Sequence, residues 1–153
     1  MAFLPYPDRV WARVAETGKI LKCGSFRLAS AMELAQIQLT IVKVGAQGGS
    51  EQMRVKVFPT AEYATAYATS PWITLASLPN LTTSAWTGWV PFAFARQPLA
   101  ATPSAYHVGL ELTGYTRNGT TYFLGAKCDW PDPIGPSTGS QRRAAQMSII
   151  GYQ

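Results

Sequence analysis

Two short stretches decide the fold: Ile37-Gln-Leu-Thr-Ile-Val-Lys-Val44 and Gln52-Met-Arg-Val-Lys-Val-Phe58. In the first, an extended chain puts Ile37, Leu39 and Ile41 on one side and Gln36, Gln38 and Thr40 on the other. In the second, Met53, Val55 and Val57 alternate with Arg54 and Lys56. A period of two residues suits a strand with one face on a core and one in water, whereas a helix repeats every 3.6 residues. Between them runs Gly45-Ala-Gln-Gly-Gly-Ser-Glu51, rich in turn formers, so the pair is predicted to be a hairpin.

The same period recurs outward from this pair. Trp89-Val-Pro-Phe-Ala-Phe-Ala95 places Val90, Phe92 and Phe94 on one face. Pro91 has no N–H to give a ladder, so it marks an edge, a bulge or a strand start. Ala105 to Thr113 turns Tyr106, Val108, Leu110 and Leu112 inward, and Thr121 to Ala126 is its predicted hairpin partner through Asn118-Gly119. Ile73 to Leu78 and Met147 to Tyr152 read as further strands, and Arg9 to Ala15 and Phe26 to Ser30 as weaker ones. Thr60 to Thr69 suits either a short helix or an irregular loop. About eight short strands with almost no helix predict an all-β fold, a two-sheet antiparallel β-sandwich of the jelly-roll kind. Its ends are irregular: an N-terminal arm over 1–8 and a Pro/Gly/Ser-rich loop over 129–145. The 153 residues contain no linker or repeat, so 1–153 reads as one sandwich domain.

Charge is scarce. Charged residues make up 14% of the chain, where about 25% is usual, and Tyr63 to Pro91 contains none. Thirteen Lys/Arg against eight Asp/Glu give +5, but the positive charges are scattered and only Arg142 and Arg143 are adjacent. That distribution argues against a nucleic-acid partner, which needs a clustered patch, and fits docking on an acidic protein surface. Outward positions carry Gln, Thr, Ser, Ala and Gly where a lone soluble protein carries charges. Interfaces are depleted in Lys, Glu and Asp, so part of the surface is expected to be covered by other chains, in a symmetric assembly. The amino end lacks the basic and apolar regions of a signal peptide, and no apolar run is long enough to span a bilayer. The expectation is a protein made in cytoplasm, not secreted, with no membrane partner.

Catalytic, cofactor and metal signatures are not found. His107 is the lone histidine, on the outward parity beside Gly109 and Glu111, with no partner to orient it as a base. Asp129 and Asp132 flank Trp130-Pro131 without the alternating oxygen ligands of a calcium loop. Cys23 and Cys128 show no metal spacing and read as buried small hydrophobes. The expectation is therefore no enzyme, no cofactor and no metal. Aromatic residues at strand ends and in loops are the remaining candidates. Phe3, Leu4, Tyr6, Trp11, Tyr63, Tyr67, Trp72 and Trp130 are taken as interface residues; alternatively, Trp72, Trp86 and Trp130 form a glycan-stacking platform.

The order of segments from Leu34 to Trp130 resembles small jelly-roll structural proteins of tailed bacteriophage particles. The carrying residues are Ile37-Gln-Leu-Thr-Ile-Val-Lys, Met53-Arg-Val-Lys-Val-Phe, Trp89-Val-Pro-Phe-Ala-Phe, Tyr106-His-Val-Gly-Leu-Glu-Leu and Tyr122-Phe-Leu-Gly. They also look like jelly rolls of the carbohydrate-binding-module type. The resemblance covers about two thirds of the chain and rests on a strand pattern, not a diagnostic motif. It implies a non-enzymatic virion component, a capsid decoration or cement protein, often trimeric, whose partners are copies of itself and the major capsid protein. Its alternative is a carbohydrate-binding or receptor-recognition module of a phage tail or baseplate. No ligand motif matches, so the resemblance assigns no binding residue.

Overall fold

The computed structural model describes residues 10–13, 20–44, 51–78, 85–101, 105–114, 123–128 and 147–153, with the backbone alone at 10–13, 42–44, 85–87 and 123–128. The arm over 1–8, the loop over 129–145 and the Asn118-Gly119 turn lie outside these residues. The strands are β1 (Val10–Arg13), β2 (Ile20–Phe26), β3 (Met32–Val44), β4 (Gln52–Phe58), β5 (Ala68–Thr69), β6 (Ile73–Thr74), β7 (Ala85–Leu99), β8 (Tyr106–Thr113), β9 (Phe123–Cys128) and β10 (Met147–Tyr152). All pairs are antiparallel. The first sheet runs β1-β9-β3-β7, and β10 shares the edge of β3 that β9 occupies further along. The second runs β2-β8-β4, with the short β5 and β6 side by side on the far edge of β4. From β1 to β4, and again from β7 to β9, each successive strand changes sheet. That is jelly-roll winding.

This winding overturns both predicted hairpins. β3 and β4 lie in opposite sheets, and so do β8 and β9. The reason is physical: alternation fixes which face of a strand is apolar, but not the edge along which it pairs. Two half-apolar strands bury their faces as well across a core as they do side by side. The inward faces themselves are as read. Ile37, Leu39, Ile41, Val90, Phe92 and Phe94 from the first sheet meet Met53, Val55, Val57, Tyr106, Val108, Leu110 and Leu112 from the second in one buried cluster.

Other boundaries moved. The run from Ile73 to Leu78 keeps only two strand residues before a 3₁₀ turn at Leu75–Ser77, which buries Leu75. Phe26 ends a strand instead of starting one, and the stretch from Thr60 is irregular, with a turn at 61–62, until β5 closes it at Ala68–Thr69. Pro91 sits where its chemistry allows, on β7, whose described partner is β3 alone.

On the outer face of the second sheet, Arg54 Nε donates to Glu111 Oε2 at 2.8 Å and Lys56 Nζ to the same oxygen at 3.0 Å. Burial pushes the Glu111 carboxyl up, but the hydrogen bonds and charges of Arg54 and Lys56 outweigh it and hold the group below its ordinary value. A carboxylate with a lower pKa folded than unfolded stabilises above its unfolded pKa, and that contribution is lost as pH falls through the folded value. Glu111→Gln is thus expected to lower the unfolding free energy by about 1–2 kcal/mol at neutral pH. The gap from the parent protein should close in acid, which urea denaturation across a pH series will check.

Candidate functional site

The two outer faces of the sandwich differ in kind. On the second sheet, cross-strand rows read Ile20–Glu111–Arg54, Lys22–Gly109–Lys56 and Ser25–His107–Phe58. This face is charged and partly roofed by its own chain. Tyr63, with a left-handed φ of 54°, lays its ring against Phe58 at 5.0 Å and His107 at 5.7 Å, and its hydroxyl donates to Gly24 O at 3.3 Å. Gly109 is required beneath it. A Cβ there would come within 2.6 Å of Ile20 Cγ2 and 3.1 Å of Phe58 Cε2.

On the first sheet the rows read Trp89–Thr40, Pro91–Gln38–Ser148 and Ala93–Gln36–Ile150. None of these eight side chains is ionisable. Trp89 is 53% exposed and Ile150 42% exposed, while Thr40, opposite Trp89, is buried with its hydroxyl unpartnered. The scarcity of charge seen in the sequence is therefore lopsided. Among the described side chains it concentrates on these three rows, which carry a large exposed ring and where desolvation would cost no charge.

That face ends in a groove. The β3–β7 register slips between Leu34 and Gln36, and in the slipped segment Arg96 takes a φ of 50°, unfavourable for any residue but glycine, asparagine or aspartate. Arg96 Nε donates to Glu33 Oε2 at 2.6 Å, and its guanidinium stacks 4.5 Å from the Tyr152 ring centre. Opposite, Tyr67 Oη donates to Pro98 O at 3.1 Å, and Tyr106 Oη anchors the same strand end by donating to Ala100 O at 2.9 Å. Met32, Glu33, Tyr67, Arg96, Leu99 and Tyr152 are among the residues that line this open groove, of about 460 Å³. A second depression, of about 570 Å³, lies between Arg54, Ser70 and Phe94.

The aromatic candidates separate. Tyr67 is 49% exposed and lines the groove. Tyr63 packs on its own sheet, and Trp72 is half-buried under the Arg54 guanidinium, 4.0 Å from its ring centre. Trp11 pairs with Lys127 and Trp86 with Lys43 through their backbones, while their side chains lie outside the description, as do Phe3, Leu4, Tyr6 and Trp130 altogether. Of the three tryptophans proposed as a glycan platform, the structure thus describes one ring. Ile150, Tyr152, Arg96 and Glu33 were not singled out in the sequence, and Trp89, one of the aromatic residues at a predicted strand end, was placed in neither the interface nor the glycan set. Parity alone could have found Trp89 and Ile150, one residue out of phase with Val90 and Ile149. No sequence signal announces the turn of backbone at Arg96.

Cys23 is buried at the register slip of β2, as expected of a small hydrophobe, and its thiol lies 3.5 Å from Leu21 O. His107 faces outward as expected. Burial lowers its pKa and Lys22 lowers it further, against the opposing charge of Glu62, and none of the described residues hydrogen-bonds its ring. Among the described residues no three His, Cys, Asp or Glu side chains gather as metal ligands, and no helix is long and apolar enough to cross a membrane. The chain matches no protein-family model, and neither a curated protein nor a solved structure shows significant similarity to it.

Proposed function

We propose that this protein is a non-enzymatic structural component of a bacteriophage particle, a capsid decoration or cement protein. In this reading it docks the outer face of its first sheet on neighbouring chains, as a symmetric oligomer on the capsid shell. The uncharged face bearing Trp89 and Ile150 carries the reading, because its mirror on the second sheet holds Arg54, Lys56, Lys22 and Glu111. One exterior is built for water and the other for contact. The jelly-roll winding is consistent with the virion proteins that the strand pattern resembles.

Exposed tryptophans that become buried in an interface are common hot spots, each contributing about 2 kcal/mol or more. Trp89→Glu should therefore dissociate the oligomer and abolish binding to purified capsid shells, while leaving the melting temperature nearly unchanged. Native mass spectrometry and particle co-sedimentation measure both effects. A parent protein that is monomeric and ignores capsid shells would rule the proposal out.

A further inference from the structure

We propose that the groove at the end of the first sheet binds a neutral carbohydrate. One pyranose unit would lie against the Tyr67 and Tyr152 rings, and Glu33 and Arg96 would read a pair of adjacent hydroxyls. None of these four residues belongs to the three uncharged rows, although the groove closes the end of that face, so Trp89→Glu tests the docking reading and the groove variants test this one.

Preorganisation is the first argument. The Tyr67 ring is held by its hydrogen bond to Pro98 O, and the Tyr152 ring by the guanidinium over one of its faces. Tyr152 is nevertheless 54% exposed, so part of the ring remains open to a ligand. Flat rings offer the aliphatic C–H face of a sugar a surface that water does not compete for. Each ring already has one partner before any ligand arrives, which lowers part of the ordering cost of binding.

The polar pair supplies the second argument. Only the Nε–H of Arg96 is engaged by Glu33 Oε2; the Nη donors and Glu33 Oε1 have no protein partner among the described residues. Donors and acceptors thus stand side by side. That arrangement suits vicinal hydroxyls, each of which both gives and accepts a hydrogen bond. The pair is also electrically closed, so a phosphate or carboxylate would have to displace Glu33 to gain Arg96. Charge complementarity consequently favours a neutral ligand over an anionic one.

Backbone strain is the third. An arginine at φ 50° sits in a region costly for side chains other than glycine, asparagine and aspartate. Packing does not need it there, because the Arg96 side chain is 64% exposed. What the conformation does accomplish is to bring the guanidinium onto Glu33 and Tyr152 at once. The cavity of about 460 Å³ lies within the roughly 300–1,000 Å³ common for small-ligand sites.

The test uses the purified full chain. It is titrated by NMR with methyl glycosides of glucose, galactose, mannose and N-acetylglucosamine and spread on an array of neutral glycans. Sialyllactose and adenosine monophosphate serve as anionic and stacking comparators. Millimolar binding of at least one neutral sugar is expected, with shifts confined to the groove. Tyr152→Ala and Arg96→Gly should each weaken it tenfold or more. Arg96→Gly should also melt no lower than the parent, since glycine accepts a positive φ, which separates lost recognition from lost folding. Trp89→Glu should bind the sugar as the parent does. Silence toward all neutral glycans, binding that survives both groove variants, or preference for either comparator would each overturn the inference.

Discussion

Phe92→Ala should remove about 3–5 kcal/mol of stability, the largest loss expected from any single substitution here. Phe92 is wholly buried in the middle of β7, in one cross-strand row with Ile37 of β3 and, beyond it, Ile149 of β10. The opposite sheet presents Val55, Val57, Val108 and Leu110 to the same cluster. Truncation leaves a void bounded by side chains from both layers. Neither layer can collapse into it without breaking its own ladder. Against a total stability of roughly 5–15 kcal/mol, that is a large fraction, equivalent to a melting temperature lower by roughly 6–20 °C. Guanidinium denaturation at constant m-value measures it. A loss under about 1 kcal/mol would mean that the two sheets do not share this core.

Gly151→Ala is the second large effect and acts through backbone, not volume. A Cβ at Gly151 would lie 2.6 Å from the carbonyl oxygen of Glu33 and would also overlap the Met32 methyl group. The methionine can swing away, but the carbonyl belongs to the β3 ladder. β10 must therefore move off β3 where their register already shifts, between Ile150 and Gly151. The expected cost is about 2–3 kcal/mol. Hydrogen exchange should localise the damage, with protection lost along Met147 to Tyr152 and kept in β4 and β8. Adding Met32→Ala should recover little, because the oxygen remains in place. Full recovery by that second change would show that the side chain, not the backbone, sets the constraint.

What the sequence disclosed follows from what alternation encodes. The burial of Ile37, Leu39, Ile41, Met53, Val55 and Val57 was readable because side-chain direction in a strand is a local property. The partner of each strand was not, because pairing depends on long-range winding. Hence Ile37 to Val44 and Gln52 to Phe58 look like a hairpin and lie in opposite sheets. The Asn118-Gly119 signal misled in the same way, since β8 pairs with β2 and β4 instead of β9. The candidate site was legible only by subtraction. The charge-free stretch from Tyr63 to Pro91 pointed to a covered surface, and that stretch does contribute Trp89 and Pro91 to the uncharged face. The rest of that face comes from β3 and β10, brought alongside by the fold. The Arg96–Glu33–Tyr152 cluster joins residues far apart in the chain through a bulge whose geometry no residue type announces.

The place of β3 in the first sheet sets a condition on how the chain comes to be folded. Its apolar flank is closed along one edge by β7 and along the other by β9 and β10, all of which are synthesised later. During translation this thirteen-residue strand is therefore produced with neither neighbour available, and its last partner follows more than a hundred residues behind. Topologies dominated by such distant pairings fold slowly. The nascent polypeptide must keep Leu34, Ile37, Leu39 and Ile41 from meeting their equivalents on sister ribosomes until the C-terminal segment emerges, so its yield in a cell should depend on chaperone supply more than its final stability would suggest.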